Sequence, residues 1–192
     1  MAEQRPPAAI VLAAGSSTRL GQPKQLVCYA GEPLLRRAAR LAFEVGARPV
    51  IVVLGAQAAD CRNLLGGLPV NVIENGEYAS GMGSSLRLGM AALATLQPEA
   101  GRVLLLVCDQ PLLRAEQLRE LLGTPAPDGI AAAEYCGRLG VPAVFGREHF
   151  SALASVSGDA GARALLRALP IRAVPMPEAA VDIDTPDDLR AL

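Results

Sequence analysis

Arg19 and Lys24 follow a run of small residues, Gly15-Ser16-Ser17-Thr18, which itself follows an apolar stretch from Ala8 to Ala14. The apolar stretch is long enough for one buried strand, and glycine, serine and threonine cannot continue it, so a turn begins near Gly15. Small residues let a ligand approach the main chain, and successive N–H groups form an anion-binding concavity to which Arg19 and Lys24 add full charges. Such a loop suits a polyphosphate; its bland alternative is an ordinary strand-to-helix turn. It is not a Walker loop, because five residues separate Gly15 from Gly21 and Gln22-Pro23 precede Lys24. The Rossmann pattern Gly-x-Gly-x-x-Gly is also absent.

Asp109 stands at the end of the apolar run Val103 to Val107, two residues before Pro111. A carboxylate buried bare there would be costly, so it needs solvent, a cation or hydrogen bonds, and capping the following turn is the simplest alternative to a metal. Asp182 and Asp184 lie two apart in a predicted short strand; residues so spaced share a face, and either can supply a second carboxylate. Oxygen ligands without imidazole or thiolate favour Mg²⁺ over zinc. A phosphate loop with two cations plus one or two carboxylates is the equipment of phosphoryl or nucleotidyl transfer. No Ser-His-Asp set is available: the only histidine, His149, falls in a predicted helix and reads as a surface or packing residue.

The elements that position these groups alternate. Leu34, Leu35, Ala38, Leu41, Ala42 and Val45 recur at helical spacing, and Pro49 to Leu54 then reads as a strand covered on both faces. A short helix over Gln57–Leu65, a strand over Val70–Ile73, a helix capped by Ser84 or Ser85 and reaching Leu96, the strand Val103–Val107 and a helix over Arg114–Leu122 follow. Ile130–Tyr135 and Val141–Phe145 bracket Gly137 to Gly140 as a hairpin antiparallel to the rest. Helices over Glu148–Ala154 and Ala160–Leu169, a strand over Ile171–Val174, and a last helix with Thr185 as N-cap and Pro186 at its first position complete the chain. This order predicts a three-layer α/β domain with a mixed, mainly parallel sheet, in which ligands sit at the carboxyl ends of the strands, where Gly15 and Asp109 fall.

A chain of 192 residues, 51% hydrophobic, has ample material for a core and favours one domain over residues 1–192. A formal net charge of −1 and 3% aromatic residues argue against a nucleic-acid partner. The four cysteines lie far apart and read as buried or half-buried thiols in a reducing compartment, not as a zinc site. No apolar run approaches the ~18 residues of a membrane span, and the reading is of a cytoplasmic protein without a membrane partner.

The segment from Leu12 to Leu26 resembles the Leu-Ala-Ala-Gly-x-Ser-x-Arg-Met-Gly-x-x-Lys signature of the nucleotidyltransferases that act on molybdopterin and of the wider family making nucleotide sugars. Gly81-Met-Gly-Ser-Ser-Leu86, Asp109-Gln-Pro111, Gly140-Val-Pro142, Gly158-Asp-Ala-Gly-Ala-Arg163 and Asp182 to Leu189 extend the likeness along nearly the whole chain. The combination is similar to the molybdenum cofactor cytidylyltransferases, which implies a Rossmann-like nucleotidyltransferase domain of the glycosyltransferase A type. The resemblance implies that Leu12, Ala13, Ala14 and Gly15 hold the base and ribose, with Ser16 and Ser17 beside them, and that Arg19 and Lys24 grip the triphosphate. It gives Asp109 and Asp184 as Mg²⁺ ligands, and Gly81, Met82, Gly83, Ser84 and Ser85 as a second wall of the nucleotide pocket, with the two serine hydroxyls as contacts. Gly140, Val141, Pro142, Gly158, Asp159 and Arg163 would face the acceptor. The implied substrates are CTP, or GTP, and molybdopterin, with a molybdoenzyme or its maturation chaperone as a partner. Val141 stands where the better-known cytidylyltransferases tend to carry His, so acceptor identity stays open. The rivals are a guanylyltransferase on the same cofactor, a sugar-1-phosphate nucleotidyltransferase and a non-catalytic cofactor carrier.

Overall fold

The computed structural model describes residues 5–126, 128–158 and 161–191. Its centre is a seven-stranded sheet made of β1 (Ala8–Ala13), β4 (Val50–Leu54), β5 (Asn71–Glu74), β6 (Arg102–Val107), β7 (Ile130–Tyr135), β8 (Arg138–Gly146) and β9 (Arg172–Pro175), in the order β5-β4-β1-β6-β8-β7-β9. A two-stranded ribbon, β2 (Cys28–Tyr29) with β3 (Glu32–Pro33), lies apart from it. β1, β4 and the inner part of β6 are buried on both faces, as their unbroken apolar runs require. Only β8 runs against the others, so the hairpin expected to be wholly antiparallel to the sheet contributes one reversed strand, while β7 is parallel to β6 and β9.

Helices cover both faces. Ala9, Val11 and Ala13 of β1 point into a core shared with α1 (Leu34–Glu44), α2 (Ala58–Leu64) and α4 (Ala115–Gly123). Ala8, Ile10 and Leu12 point the other way, onto α3 (Met82–Leu96), α5 (Phe150–Ala154) and α6 (Arg163–Ala168). This period-two division of one strand between two cores is the three-layer arrangement that alternating buried strands and amphipathic helices specify. Each of Leu86, Met90 and Leu93 on α3, all nearly inaccessible, contributes roughly 1.5–3 kcal/mol of burial. Among the described residues no helix is long and apolar enough to cross a membrane.

Three local expectations need correction. Helix α3 begins at Met82 with Gly81 at its N-cap, two residues before the serines expected to cap it; Ser84 and Ser85 lie inside the first turn. The β7–β8 turn is Cys136-Gly137, both at positive φ (48° and 69°), so Gly140-Val141-Pro142 belongs to strand β8 itself. The segment 181–184 pairs with no strand; it is an irregular lead into α7 (Pro186–Arg190), where Thr185 and Asp188 form the capping box and Pro186 opens the helix. His149 lies in a short 3₁₀ turn, partly exposed, its Nε2 2.8 Å from the Asp128 carbonyl oxygen, a packing role in keeping with its expected one. Cys61 and Cys108 are buried, but Cys28 and Cys136 are exposed, since each sits in or beside a tight turn.

Candidate active site

β1 and β6 are adjacent and parallel, so both deliver their C-terminal loops to the same edge of the sheet. There a cavity of about 510 Å³ opens, floored by Leu12 to Ser16 and by Val107 to Asp109 and walled by Lys24, Gln25, Tyr78 to Ala79, Gly81, Met82 and Ser85. A Cβ added to Gly15 would meet no protein atom, so the main chain there is open to a ligand. Gly55 is the reverse case. An added Cβ would lie 2.6 Å from the Ala14 oxygen and 2.7 Å from Tyr78 Cβ, and its lack of a side chain lets two walls of the cavity meet.

The loop after β1 is held from inside. Gln25, 1% exposed, donates through Nε2 to the carbonyls of Ala13 (2.9 Å) and Gly15 (2.8 Å). The Ser17 hydroxyl accepts from the Lys24 N–H (3.1 Å), and the Ser17 carbonyl accepts from Leu20 and Gly21 in a turn in which Ser17 adopts φ 54°. The opposite wall is tied by Asn75, whose Nδ2 donates to both Ser84 (2.8 Å) and Ser85 (2.9 Å) hydroxyls, while its Oδ1 accepts from the Glu77 N–H. The Ser84 hydroxyl also has the carbonyls of Glu77 and Gly81 within reach, whereas the Ser85 hydroxyl accepts from Asn75 and Ser85 borders the cavity. Gly83 faces the backbone of Ser157 and Gly158, outside the cavity.

The charged residues converge at the cavity's mouth. Lys24 Nζ donates to Asp109 Oδ2 at 2.5 Å and to Asp184 Oδ1 at 2.9 Å; the Lys24 and Asp109 side chains are each 16% exposed. Arg19, well exposed, reaches the other oxygen of Asp184 at 2.6 Å. Asp184 arrives because Ile183 beside it is fully buried with Leu20, Val27 and Leu34 beneath the loop, and donates its N–H to the Asp109 carbonyl (3.0 Å). The Asp188 carboxylate, held below its ordinary pKa by the Thr185 hydroxyl and the N–H groups of Asp184 and Thr185, fixes that turn. Burial alone would lower the Lys24 pKa, but the charge and hydrogen bond of Asp109, with the hydrogen bond of Asp184, override it and hold Lys24 above its usual range. Burial would raise Asp184, yet Lys24 and Arg19 outweigh it and keep this carboxylate low. Asp182, beside it, is raised by burial and by Asp109 and Asp184, and makes no such pair.

The two carboxylates thus already face one cation. That donor set is all oxygen and suits a hard divalent ion, with an ammonium standing in for it. Among the described residues no cluster of three His, Cys, Asp or Glu forms a complete metal cage. Two carboxylates with remaining positions left to water and substrate phosphates is how Mg²⁺ is usually held.

Of the residues expected to face the acceptor, Gly140, Val141 and Pro142 lie near the start of β8, which reaches the same edge antiparallel to β6. Gln110, buried, donates to the carbonyls of Val141 (3.0 Å) and Ala179 (2.8 Å), which fastens β8 beside Asp109. Arg163 opens α6 and is exposed; Gly158 ends the described residues before the gap, and Asp159 lies outside them. Sequence reasoning missed Gln25, Asn75, Tyr78 and Gln110. The first and last stand directly beside Lys24 and Asp109, which was the available signal.

A three-layer domain with a mixed, mainly parallel sheet and a glycine-serine loop, two cations and two carboxylates at the carboxyl ends of β1 and β6 defines a nucleotidyltransferase-type site. Residues 9–174 match the MobA-like NTP transferase domain. The chain belongs to that family. It is 37% identical over 170 residues to nicotine blue oxidoreductase of Paenarthrobacter nicotinovorans, covering 84% of this chain and 81% of that protein. It is also 37% identical over 145 residues to the bifunctional protein GlmU of Anaeromyxobacter dehalogenans, covering 74% of this chain but only 30% of that longer protein. Among solved structures, Rv0371c of Mycobacterium tuberculosis superposes with a TM-score of 0.80 at 33% identity, covering 97% of each chain. A second structure of Rv0371c, in complex with manganese, superposes with a TM-score of 0.76.

Proposed function

We propose that residues 1–192 act as one cytoplasmic nucleotidyltransferase domain that moves CMP from CTP to the terminal phosphate of molybdopterin and releases pyrophosphate. The observation that carries this reading is the convergence of Lys24, Asp109 and Asp184 at the mouth of a nucleotide-sized cavity floored by the Gly15 loop. Leu12 to Gly15 would receive the nucleoside, and Tyr78 and Met82, both exposed at the rim, offer apolar surface to its base. Lys24 has three N–H donors, two of them engaged, and so keeps one for a phosphate oxygen. Arg19 uses one amino group on Asp184 and retains further donors.

Asp109 and Asp184 would hold Mg²⁺, which supplies charge neutralisation at the phosphates. An acceptor phosphate is largely ionised at pH 7, its second pKa being about 6, so its oxygen can attack the α-phosphorus without a general base. Arg19 and Lys24 offset the negative charge that grows on the leaving pyrophosphate.

A second reading is favoured by one finding: a relative matched over most of both chains is an oxidoreductase. On that reading the Gly15 loop would take the phosphates of a nucleotide redox cofactor in place of those of CTP. Both readings are separated by incubating the protein with Mg²⁺ and each of CTP, GTP, ATP and UTP, with and without molybdopterin, and measuring pyrophosphate; a parallel arm follows oxidation of NADH and NADPH. Molybdopterin-dependent pyrophosphate from CTP is expected. Pyrophosphate from GTP alone would shift the assignment to a guanylyltransferase, and nicotinamide oxidation without pyrophosphate would overturn it.

A further inference from the structure

Lys24 and Gln25 sit side by side in one 3₁₀ turn, Lys24–Leu26, and at about three residues per turn their side chains leave it roughly 120° apart. Lys24 goes to the carboxylates of Asp109 and Asp184, and Gln25 goes inward to the carbonyls of Ala13 and Gly15. Both of its partners are carbonyl oxygens, so the amide can only turn its NH₂ toward them, and both hydrogens are spent there. The other end of the amide carries the cost: Gln25 Oε1 is buried and has no hydrogen-bond partner among the described residues. A buried orphan acceptor is unfavourable, so what the two donated bonds achieve must offset it.

What they achieve lies on the far side of two peptides. Among the described residues only Arg48-Pro49 and Val141-Pro142 are cis, so the peptides joining Ala13 to Ala14 and Gly15 to Ser16 are trans, and a trans peptide sets its N–H opposite its C=O. Holding the Ala13 and Gly15 carbonyls on the Gln25 amide therefore turns the N–H groups of Ala14 and Ser16 away from it. Neither N–H donates to main chain among the described residues. Both residues line the cavity, and between them a Cβ added to Gly15 would meet nothing. Gln110 makes the comparison. It too follows a charged site residue, spends Nε2 on two carbonyls, those of Val141 and Ala179, and leaves Oε1 buried and unpaired. Behind the Val141 carbonyl, however, stands Pro142, which has no N–H to present. Gln110 fastens a strand there, whereas Gln25 fastens a loop and aims its donors.

We propose that Gln25 is the positioning residue of the anion seat, setting two peptides so that the Ala14 and Ser16 N–H groups receive oxygens of the nucleotide's phosphates. The inference deepens the transferase reading above and rests on it, and it moves the boundary between nucleoside and phosphates to Ala14. It is tested by ¹H–¹⁵N titrations of the full chain with Mg²⁺. The probes are CTP, GTP, their nucleosides and inorganic tripolyphosphate, applied to wild type, to Gln25→Met, which fills similar space without donors, and to Gln25→Glu, which sets a carboxylate against the two carbonyls. In wild type, tripolyphosphate and the bound triphosphate are expected to shift the Ala14 and Ser16 amides saturably. Both variants should lose at least tenfold in affinity for these probes while nucleoside affinity changes less than twofold. A merely structural role would weaken nucleoside and triphosphate alike; that outcome, or full triphosphate affinity in both variants, overturns the proposal. Wild-type Ala14 and Ser16 amides that tripolyphosphate leaves unmoved overturn it whether or not the variants fold. Should wild type bind neither CTP nor GTP, the transferase reading falls, and tripolyphosphate alone then decides for Gln25.

Discussion

Replacing Lys24 by Met removes the ammonium that stands between Asp109 and Asp184 and should create a metal site that no longer waits for a nucleotide. In the native chain a divalent ion approaching these carboxylates must displace or share with Lys24. The two charge-assisted hydrogen bonds at 2.5 and 2.9 Å are each of a kind that contributes about 1.5–3 kcal/mol. The bond to Asp184 falls at the lower end, since that carboxylate is 29% exposed and shared with Arg19. Rehydration of the displaced ammonium recovers part of the sum, which leaves about 1.4–2.7 kcal/mol, or ten- to hundredfold in Kd. Mn²⁺ titration, read by the loss of its free-ion paramagnetic signal without nucleotide, is expected to show that gain in Lys24→Met. The variant should also melt lower without metal, because Asp109 loses its counter-charge and Asp184 keeps only the exposed Arg19, and should recover with Mn²⁺. Equal Mn²⁺ affinity in variant and wild type would refute the placement of Lys24 at the metal's position.

Asp109→Asn is expected to abolish pyrophosphate release with circular dichroism near wild type but a lower melting temperature, since the mostly buried Lys24 then keeps only Asp184 as counter-charge. Asn75→Ala removes the shared donor of Ser84 and Ser85 and the acceptor of the Glu77 N–H; about 2–3 kcal/mol of stability should be lost, measured by urea unfolding, along with nucleotide affinity. Asp184 is held below its unfolded pKa, so its contribution is present above about pH 4 and disappears as pH falls through its folded value. The stability difference between wild type and Asp184→Asn should accordingly be seen at pH 7 and shrink toward pH 3. Thiol titration at pH 8 should find Cys28 and Cys136 reactive in the native protein and Cys61 and Cys108 silent until denaturant is added. Burial pushes Cys61 up to about 11 and Cys108 upward as well.

The parallel core was readable because β1, β4 and β6 are continuous apolar runs that only a doubly covered sheet can hide. Thr185-Pro186 marked the last helix for an equally local reason, a side chain that satisfies its own helix's N–H groups. Ser84 and Ser85 misled because a hydroxyl at a helix start looks the same in sequence whether it caps the helix or meets a buried amide. Its partner, Asn75, arrives from the end of another strand. For Gln25 the sequence held only its place beside Lys24, since what makes it structural is the pair of carbonyls 10 and 12 residues back. The choice between Asp182 and Asp184 turned on a strand that does not exist. The burial of Ile183 selects Asp184 to meet Lys24, and that burial depends on Leu20, Val27 and Leu34 far away in the chain.

The Ile183 anchor also sets a clock for synthesis. Lys24 meets Asp109 across 85 residues of sequence but meets Asp184 across 160. With elongation at about 5–20 residues per second, the intervening 75 or so residues take roughly 4 to 15 s to appear. During that interval the emerging chain can present its phosphate loop and first carboxylate with the Leu20–Val27–Leu34 floor still uncovered. Sealing that floor and delivering the second carboxylate are therefore one late event, since Ile183 does the first and its neighbour Asp184 the second.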